Sequence, residues 1–375
     1  MAVDLAPSLQ LLALAGGLAL LPLGWWWLRL RGSTGHAQRW ALTLLTLFLT
    51  FDLTVFGAFT RLTDSGLGCP DWPGCYGEAS PSAADEPIAQ AEASQPTGPV
   101  TERKAWIEMI HRYLAMVVGA LILVLAVLSW RARSDLPFSF GWPAASLLWV
   151  IVQGAFGKFT VTLKLYPAIV TLHLAGAMVL LALLAVQWQR YRGEALALPA
   201  RLRRAVEVTL AVIAVQVLLG AWVSTNYAVL ACQGFPACNG QAWPEAMDFS
   251  HGFTVLRHLG RAGDGGFLPF DALVAIHWTH RMFAVVAVAA LGALAAALWR
   301  MPGAHTAARL ILVLAALQVA TGAANVVLQW PLAAALVHTA GAAALVVALV
   351  ALRTSADLPF QRAGLSARCD LLPSS

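Results

Sequence analysis

Four histidines recur in register along the chain, His111 and His173 in the first half, His280 and His338 in the second. Each stands in a repeated local string. Glu108-Met-Ile-His111-Arg112 is matched by His277-Trp-Thr-His280-Arg281, and His173-Leu-Ala-Gly-Ala by His338-Thr-Ala-Gly-Ala. A single histidine on an apolar face is most often a satisfied core residue, but recurrence in register changes that reading. Two imidazoles facing each other from separate helices of an apolar bundle can bind a haem iron axially. Zinc fits less well, because neither half offers an obvious third and fourth ligand. The pairs His111 with His173 and His280 with His338 therefore predict one haem site in each half. Arg112 and Arg281, one residue beyond a ligand, are candidates to balance haem propionates, or are ordinary interfacial arginines.

The repeat breaks at one place. Where the second half has His277, the first has Glu108, one helical turn before His111 and on the same helix face. An ionisable carboxylate at membrane depth needs a reason. The asymmetry is what a substrate haem in one half and an electron-carrying haem in the other would require, with Glu108 as acid or base. A structural pairing of Glu108 with Arg112 or Arg61 is the competing explanation. Asp52, near the middle of another apolar stretch, is a second candidate of the same kind, unless it merely faces a polar bundle interior.

The elements that must position these groups are transmembrane helices. Hydrophobic residues make up 59% of the 375 and charged ones 11%, and the mean hydropathy is +0.71, far from the roughly 25% charged content of soluble domains. Apolar runs of about 20 residues, the length that crosses a bilayer, fall at roughly 8–28, 40–60, 107–130, 138–157, 168–188, 205–225, 272–299, 308–328 and 332–352. The net charge of +5 does not imply a nucleic-acid partner, because 15 of the 24 Lys and Arg residues cluster in one alternating set of connections. By the positive-inside rule that set is cytoplasmic, which puts the N-terminus outside and the C-terminus inside. The N-terminus lacks a basic leader and Arg29 and Arg31 follow the first apolar run, so an uncleaved anchor is expected, ending in the interfacial Trp25, Trp26 and Trp27.

Cys69 with Cys75 and Cys232 with Cys238 each enclose five residues in loops expected outside, where an oxidising compartment favours two local disulfides over metal sites. Cys369 falls in the cytoplasmic tail and is expected to be reduced. About thirty residues after Cys75, rich in Ala, Pro, Ser and Glu, read as a flexible external loop. Gly57 to Cys69 and Gly220 to Cys232 have the same spacing, as do Gln153 to His173 and Gln318 to His338, and the offset between halves stays between 163 and 169. An even number of helices per unit gives both units one orientation, a parallel repeat. The expected fold is an all-α polytopic membrane protein with two pseudo-symmetric four-helix bundles, 36–200 and 201–357, preceded by an extra helix in 1–35 and followed by a tail, 358–375.

Taken together, Thr60-Arg61-Leu-Thr-Asp-Ser-Gly-Leu-Gly-Cys69, Glu108-Met-Ile-His111-Arg112, the paired loop cysteines and His338-Thr-Ala-Gly-Ala resemble the bacterial and mitochondrial haem A synthase family, over about residues 40–352. The resemblance implies oxidation of a ring methyl of haem O to a formyl group, giving haem A for cytochrome oxidase. It implies a resident haem b on His280 and His338, with Arg281 beside it, and the substrate haem on His111 and His173, with Arg112 beside it. It further implies Glu108 as the catalytic carboxylate and Cys69–Cys75 and Cys232–Cys238 as extracytoplasmic disulfides of a multi-pass protein of the bacterial inner membrane. The partners implied are a haem O synthase delivering substrate, an electron donor or acceptor, the lipid bilayer and a possible second copy of the chain. The family core has one helix fewer than the nine read here, and Asp52 has no recognised family counterpart. Two other classes compete: a diheme b-type electron-transfer cytochrome, which leaves the Glu108 asymmetry unexplained, and a haem transporter, which would need broken helices or a charged pathway.

Overall fold

The computed structural model describes residues 6–358, so Cys369 and the basic residues Arg362 and Arg368 lie outside the described residues. Among the described residues the regular elements are helices: α1 (Ala6–Leu30), α2 (Gly35–Leu62), α3 (Asp85–Ser94), α4 (Glu102–Arg131), α5 (Gly141–Thr162), α6 (Pro167–Arg192), α7 (Ala200–Thr225), a short turn of tighter helix (Ala228–Leu230), α8 (Phe249–Gly252), α9 (Phe270–Trp299), α10 (His305–Val327) and α11 (Leu332–Ser355). Nine of them, all but α3 and α8, are long and apolar enough to cross a membrane. The chain is a polytopic all-α membrane protein, and each expected span is met by one of these helices.

Local chemistry fixes where the helices start and stop. Helix α4 begins at Glu102, earlier than its apolar run, because the Thr101 hydroxyl accepts the Lys104 N–H at 3.3 Å and Glu102 lies in the positive first turn. Helix α6 opens on Pro167 and stops at Gly193, whose φ of 71° is left-handed and suits glycine. On α2 the buried face is a run of threonines that would be costly in a lipid-like interior if left unpaired. Each closes a bond to the turn before: Thr43 to Arg39 O, Thr46 to Leu42 O, Thr50 to Thr46 O and Thr54 to Thr50 O, at 2.6–2.8 Å.

Helices α2, α4, α5 and α6 pack around a square, each against its two neighbours, and α7, α9, α10 and α11 do the same. The squares meet where α6 lies against α7 and α11, and α2 against α11. Polar contacts tie the same seam. Arg61 Nη2 donates to Ser224 O at 2.5 Å and its guanidinium covers the Tyr227 ring at 3.8 Å. Tyr227 OH reaches Asp64 Oδ1 at 2.5 Å, and the Thr171 and Thr225 hydroxyls are 3.1 Å apart. Helix α1 stays outside both squares, on α4 and α2, with Trp26 Nε1 donating to Gln38 O at 2.8 Å.

The segment after Cys75 differs from its expected flexibility. It folds over the first cysteine loop and includes α3, with Ala84 and Ile88 fully buried against Cys69, Cys75, Ala105 and Met109. Tyr113 OH clasps the same segment by donating to Ala79 O at 2.7 Å. One isoleucine in an Ala- and Ser-rich stretch leaves no apolar period to read, yet it is enough to dock one short helix.

Candidate functional site

The histidines lie nine, six, ten and six residues past the first residue of α4, α6, α9 and α11. At about 1.5 Å of rise per residue they fall in one layer near the end that carries the cysteine loops. His111 and His173 stand on helices at opposite corners of their square, as do His280 and His338 of theirs. All four are half-buried although they point among packed helices, so each imidazole borders a crevice rather than a filled core.

What backs each imidazole is a glycine of the adjoining helix. A methyl group added at Gly57 would lie 3.0 Å from His111 Nε2, and one at Gly220 2.9 Å from His280 Cε1. At Gly322 it would lie 3.3 Å from His338 Cε1, and at Gly157 3.8 Å from His173 Cε1. The glycines thus clear the space a ligand imidazole and a flat macrocycle need. Two facing imidazoles, a cleared backbone and an apolar surround fit an axially ligated haem in each half.

The carboxylate and the arginines build a clamp above this layer. Glu108 is buried; its Oε2 accepts the Cys69 N–H at 2.8 Å and its Oε1 accepts from Arg112 Nη2 at 2.5 Å. Arg112 Nη1 also donates to the carbonyls of Asp71, Pro73 and Gly74. The second half repeats the motif: Arg281 donates to His277 Nε2 at 3.2 Å and to the carbonyls of Gly234, Ala237 and Cys232. Both cysteine pairs are bonded, Cys69 to Cys75 and Cys232 to Cys238. Both arginines direct their donors to loop carbonyls, so in this arrangement each holds a disulfide loop over its histidine layer. Asp52 is not brought to this layer: it is exposed on the outer stripe of α2, with Leu44 and Phe48.

Two side chains escaped the sequence reading. The Thr321 hydroxyl donates to Leu317 O at 2.6 Å and stands 2.9 Å from His338 Nδ1. The Gln216 amide stands 3.1 Å from His280 Nδ1. In the first half the same register positions are Phe156 and Leu53, and His173 Nδ1 and the Gln153 amide are buried without partners. The signal was available: Gln216 lies four residues before Gly220 as Leu53 does before Gly57, and Thr321 precedes Gly322 as Phe156 precedes Gly157.

The family model of COX15-CtaA, described as cytochrome oxidase assembly protein, matches residues 38–350, a span running from α2 to α11 and taking in every histidine of the layer. A relative from Shewanella oneidensis called "Heme A synthase" is 36% identical over 310 residues, 82% of this chain and 93% of its own length. The chain belongs to the haem A synthase family. Other relatives carry the same name: one from Sphingopyxis alaskensis is 30% identical over 74% of this chain and 79% of its own, and one from Alkalihalophilus pseudofirmus is 31% identical over 50% and 60%. The matched region excludes α1, so in this haem A synthase family member the histidine layers, the clamps and both disulfides all fall within the family core.

Proposed function

We propose that this chain oxidises a ring methyl of haem O to the formyl group of haem A, with the substrate haem held by His111 and His173 in the bundle of residues 36–200. The observation that carries the division of labour is the one position where equivalent clamps differ: Glu108 in the first half, His277 in the second. Haem b, ligated by His280 and His338 in the bundle of residues 201–357, would supply an electron-carrying centre. The two bundles share one orientation and a pseudo-two-fold axis along the membrane normal; the matching squares of helices support this, with 1–35 as an added anchor and 358–375 as a tail.

The protein's own groups then have distinct tasks. His111 and His173 orient the substrate macrocycle between them. Glu108, already ionically paired and holding a backbone N–H, takes protons released as the methyl carbon is oxidised, or stabilises positive charge developing there. Arg112 keeps the carboxylate in place and fastens the Cys69–Cys75 loop as a cover that limits water. The cysteine loops and the N-terminus face the extracytoplasmic side of a bacterial inner membrane and the C-terminus the cytoplasm, as the arginine distribution supports. A haem O synthase supplies substrate, an electron donor or acceptor serves the resident haem, and a second copy can associate.

The experiment is extraction and chromatographic identification of haems from purified wild type, Glu108→Ala and Glu108→Gln. The expected result is haem B with haem O or haem A in wild type and no oxidised product in either variant. Glutamine keeps an acceptor for the Cys69 N–H, so loss in Glu108→Gln reports on the charge and not on the loop. Two haems B in all three proteins would identify a diheme electron-transfer cytochrome instead and leave Glu108 a clamp residue.

A further inference from the structure

We infer that Gln216 and Thr321 are positioning residues that lock the His280 and His338 imidazoles with Nδ1 protonated and Nε2 free to bind iron, and that the first bundle, lacking both, is the one able to release its haem. The inference rests on the haem sites of the proposed function but not on the identity of either haem.

Thr321 settles its own polarity. Its hydroxyl hydrogen is spent on Leu317 O at 2.6 Å, so toward His338 Nδ1, 2.9 Å away, it presents a lone pair. Nδ1 must then carry the hydrogen, and the lone pair of the imidazole is left on Nε2, where iron would bind. Gln318 adds a second restraint by donating to the His338 carbonyl at 2.9 Å. At His280 the Gln216 amide lies against Nδ1 while its Oε1 is buried without a partner. Turning the amide over, which changes no shape, lets Oε1 accept from Nδ1–H in exchange for the contact of Nε2 with the His280 carbonyl at 3.3 Å. Both imidazoles then share one tautomer, and both nitrogens are accounted for.

The first bundle repeats the backbone and omits the locks. Leucine at 53 and phenylalanine at 156 have no side-chain donor or acceptor. His173 Nδ1 and both polar atoms of Gln153, the counterpart of Gln318, are buried and unpaired. Phe56 lies parallel to the His111 imidazole at 6.3 Å between centroids, an apolar contact that restrains the plane without selecting a tautomer. Partners behind a ligating histidine fix its tautomer and raise its basicity, and removing one typically costs about 10–100-fold in affinity. A centre kept through many turnovers gains from such partners. A site that must let its product go is served by their absence.

The test is haem transfer from the purified, haem-loaded protein to excess apomyoglobin, followed by absorbance, with potentiometry of the haem that remains. Wild type is expected to show a fast and a slow phase. Thr321→Val and Gln216→Leu should speed the slow phase by about 10–100-fold and raise the reduction potential of the retained haem, since a less basic imidazole stabilises ferric iron less. Thr321→Ser should restore both. In the opposite direction, Leu53→Gln combined with Phe156→Thr should slow the fast phase. Unchanged slow phase and potential in Thr321→Val and Gln216→Leu would overturn the inference, and so would an unchanged fast phase in the double variant, which decides the matter if the other variants load no haem. Extraction showing haem B in both bundles refutes the substrate reading alone, because each variant is compared with wild type loaded with the same haems.

Discussion

The glycines behind the histidines allow a graded test of the haem layer. Replacing Gly220, Gly57, Gly322 and Gly157 one at a time by alanine adds the same methyl group at 2.9, 3.0, 3.3 and 3.8 Å from the facing imidazole. Carbon atoms rest at about 3.5–4.0 Å, so the first two substitutions force the imidazole to move by roughly half an ångström or more, the third by a few tenths, and the last not at all. Overpacking of this kind costs about 1–3 kcal/mol, while alanine in place of a helical glycine returns about 1 kcal/mol. The overpacking should weaken haem binding at least about 5-fold at Gly220 and Gly57 and leave it unchanged at Gly157, where the alanine instead stabilises the fold by about 1 kcal/mol. Haem stoichiometry from the pyridine haemochrome spectrum, measured beside the melting temperature of each variant, reads both quantities. If Gly157→Ala loses haem as Gly220→Ala does, the gap between glycine and imidazole is not what governs loading and the reasoning fails.

Other consequences are as open to measurement. Arg112→Lys and Arg281→Lys trade a fork that serves several loop carbonyls for one ammonium; with charged hydrogen bonds at about 1.5–3 kcal/mol each, the affected disulfide loop should be reduced and alkylated at least about 10-fold faster while the other loop keeps its rate. Asp52→Leu removes a carboxylate from the exposed stripe of α2 and should favour the membrane-inserted helix by about 3 kcal/mol, raising the melting temperature in lipid without altering haem content; a loss of haem would place Asp52 in the site after all.

Much of this arrangement was legible in the sequence because it is written in periods and spacings. Apolar runs gave the spans, and equal intervals from glycine to cysteine and from glutamine to histidine exposed the repeat. The histidine layer followed from counting residues into each helix. What resisted reading was any contact whose other half is main chain. Arg112 and Arg281 could not be told from propionate partners, since the carbonyls of Asp71, Pro73, Gly74 and Gly234 carry no mark in the sequence. Helix α3 escaped because Ile88 is the one residue it buries. Gln216 and Thr321 were missed for another reason: comparing the halves for what they share draws attention away from positions where one half has a polar atom and the other Leu53 or Phe156.

The seam between the helix squares has a consequence of its own. Arg61 touches Ser224 and Asp64 touches Tyr227, each partner 163 residues away, which is also the distance from Gly57 to Gly220. Both of these contacts join a residue to its own counterpart. In assemblies of identical subunits only residues lying on the dyad do so, and an interface of that kind ties two copies to one sequence, since any substitution appears on both sides at once. Joining the copies in one polypeptide lifts that constraint. Arginine and aspartate could then remain on one side while serine and tyrosine settled on the other, and the same freedom is what lets one bundle carry a carboxylate and its twin a pair of locked imidazoles.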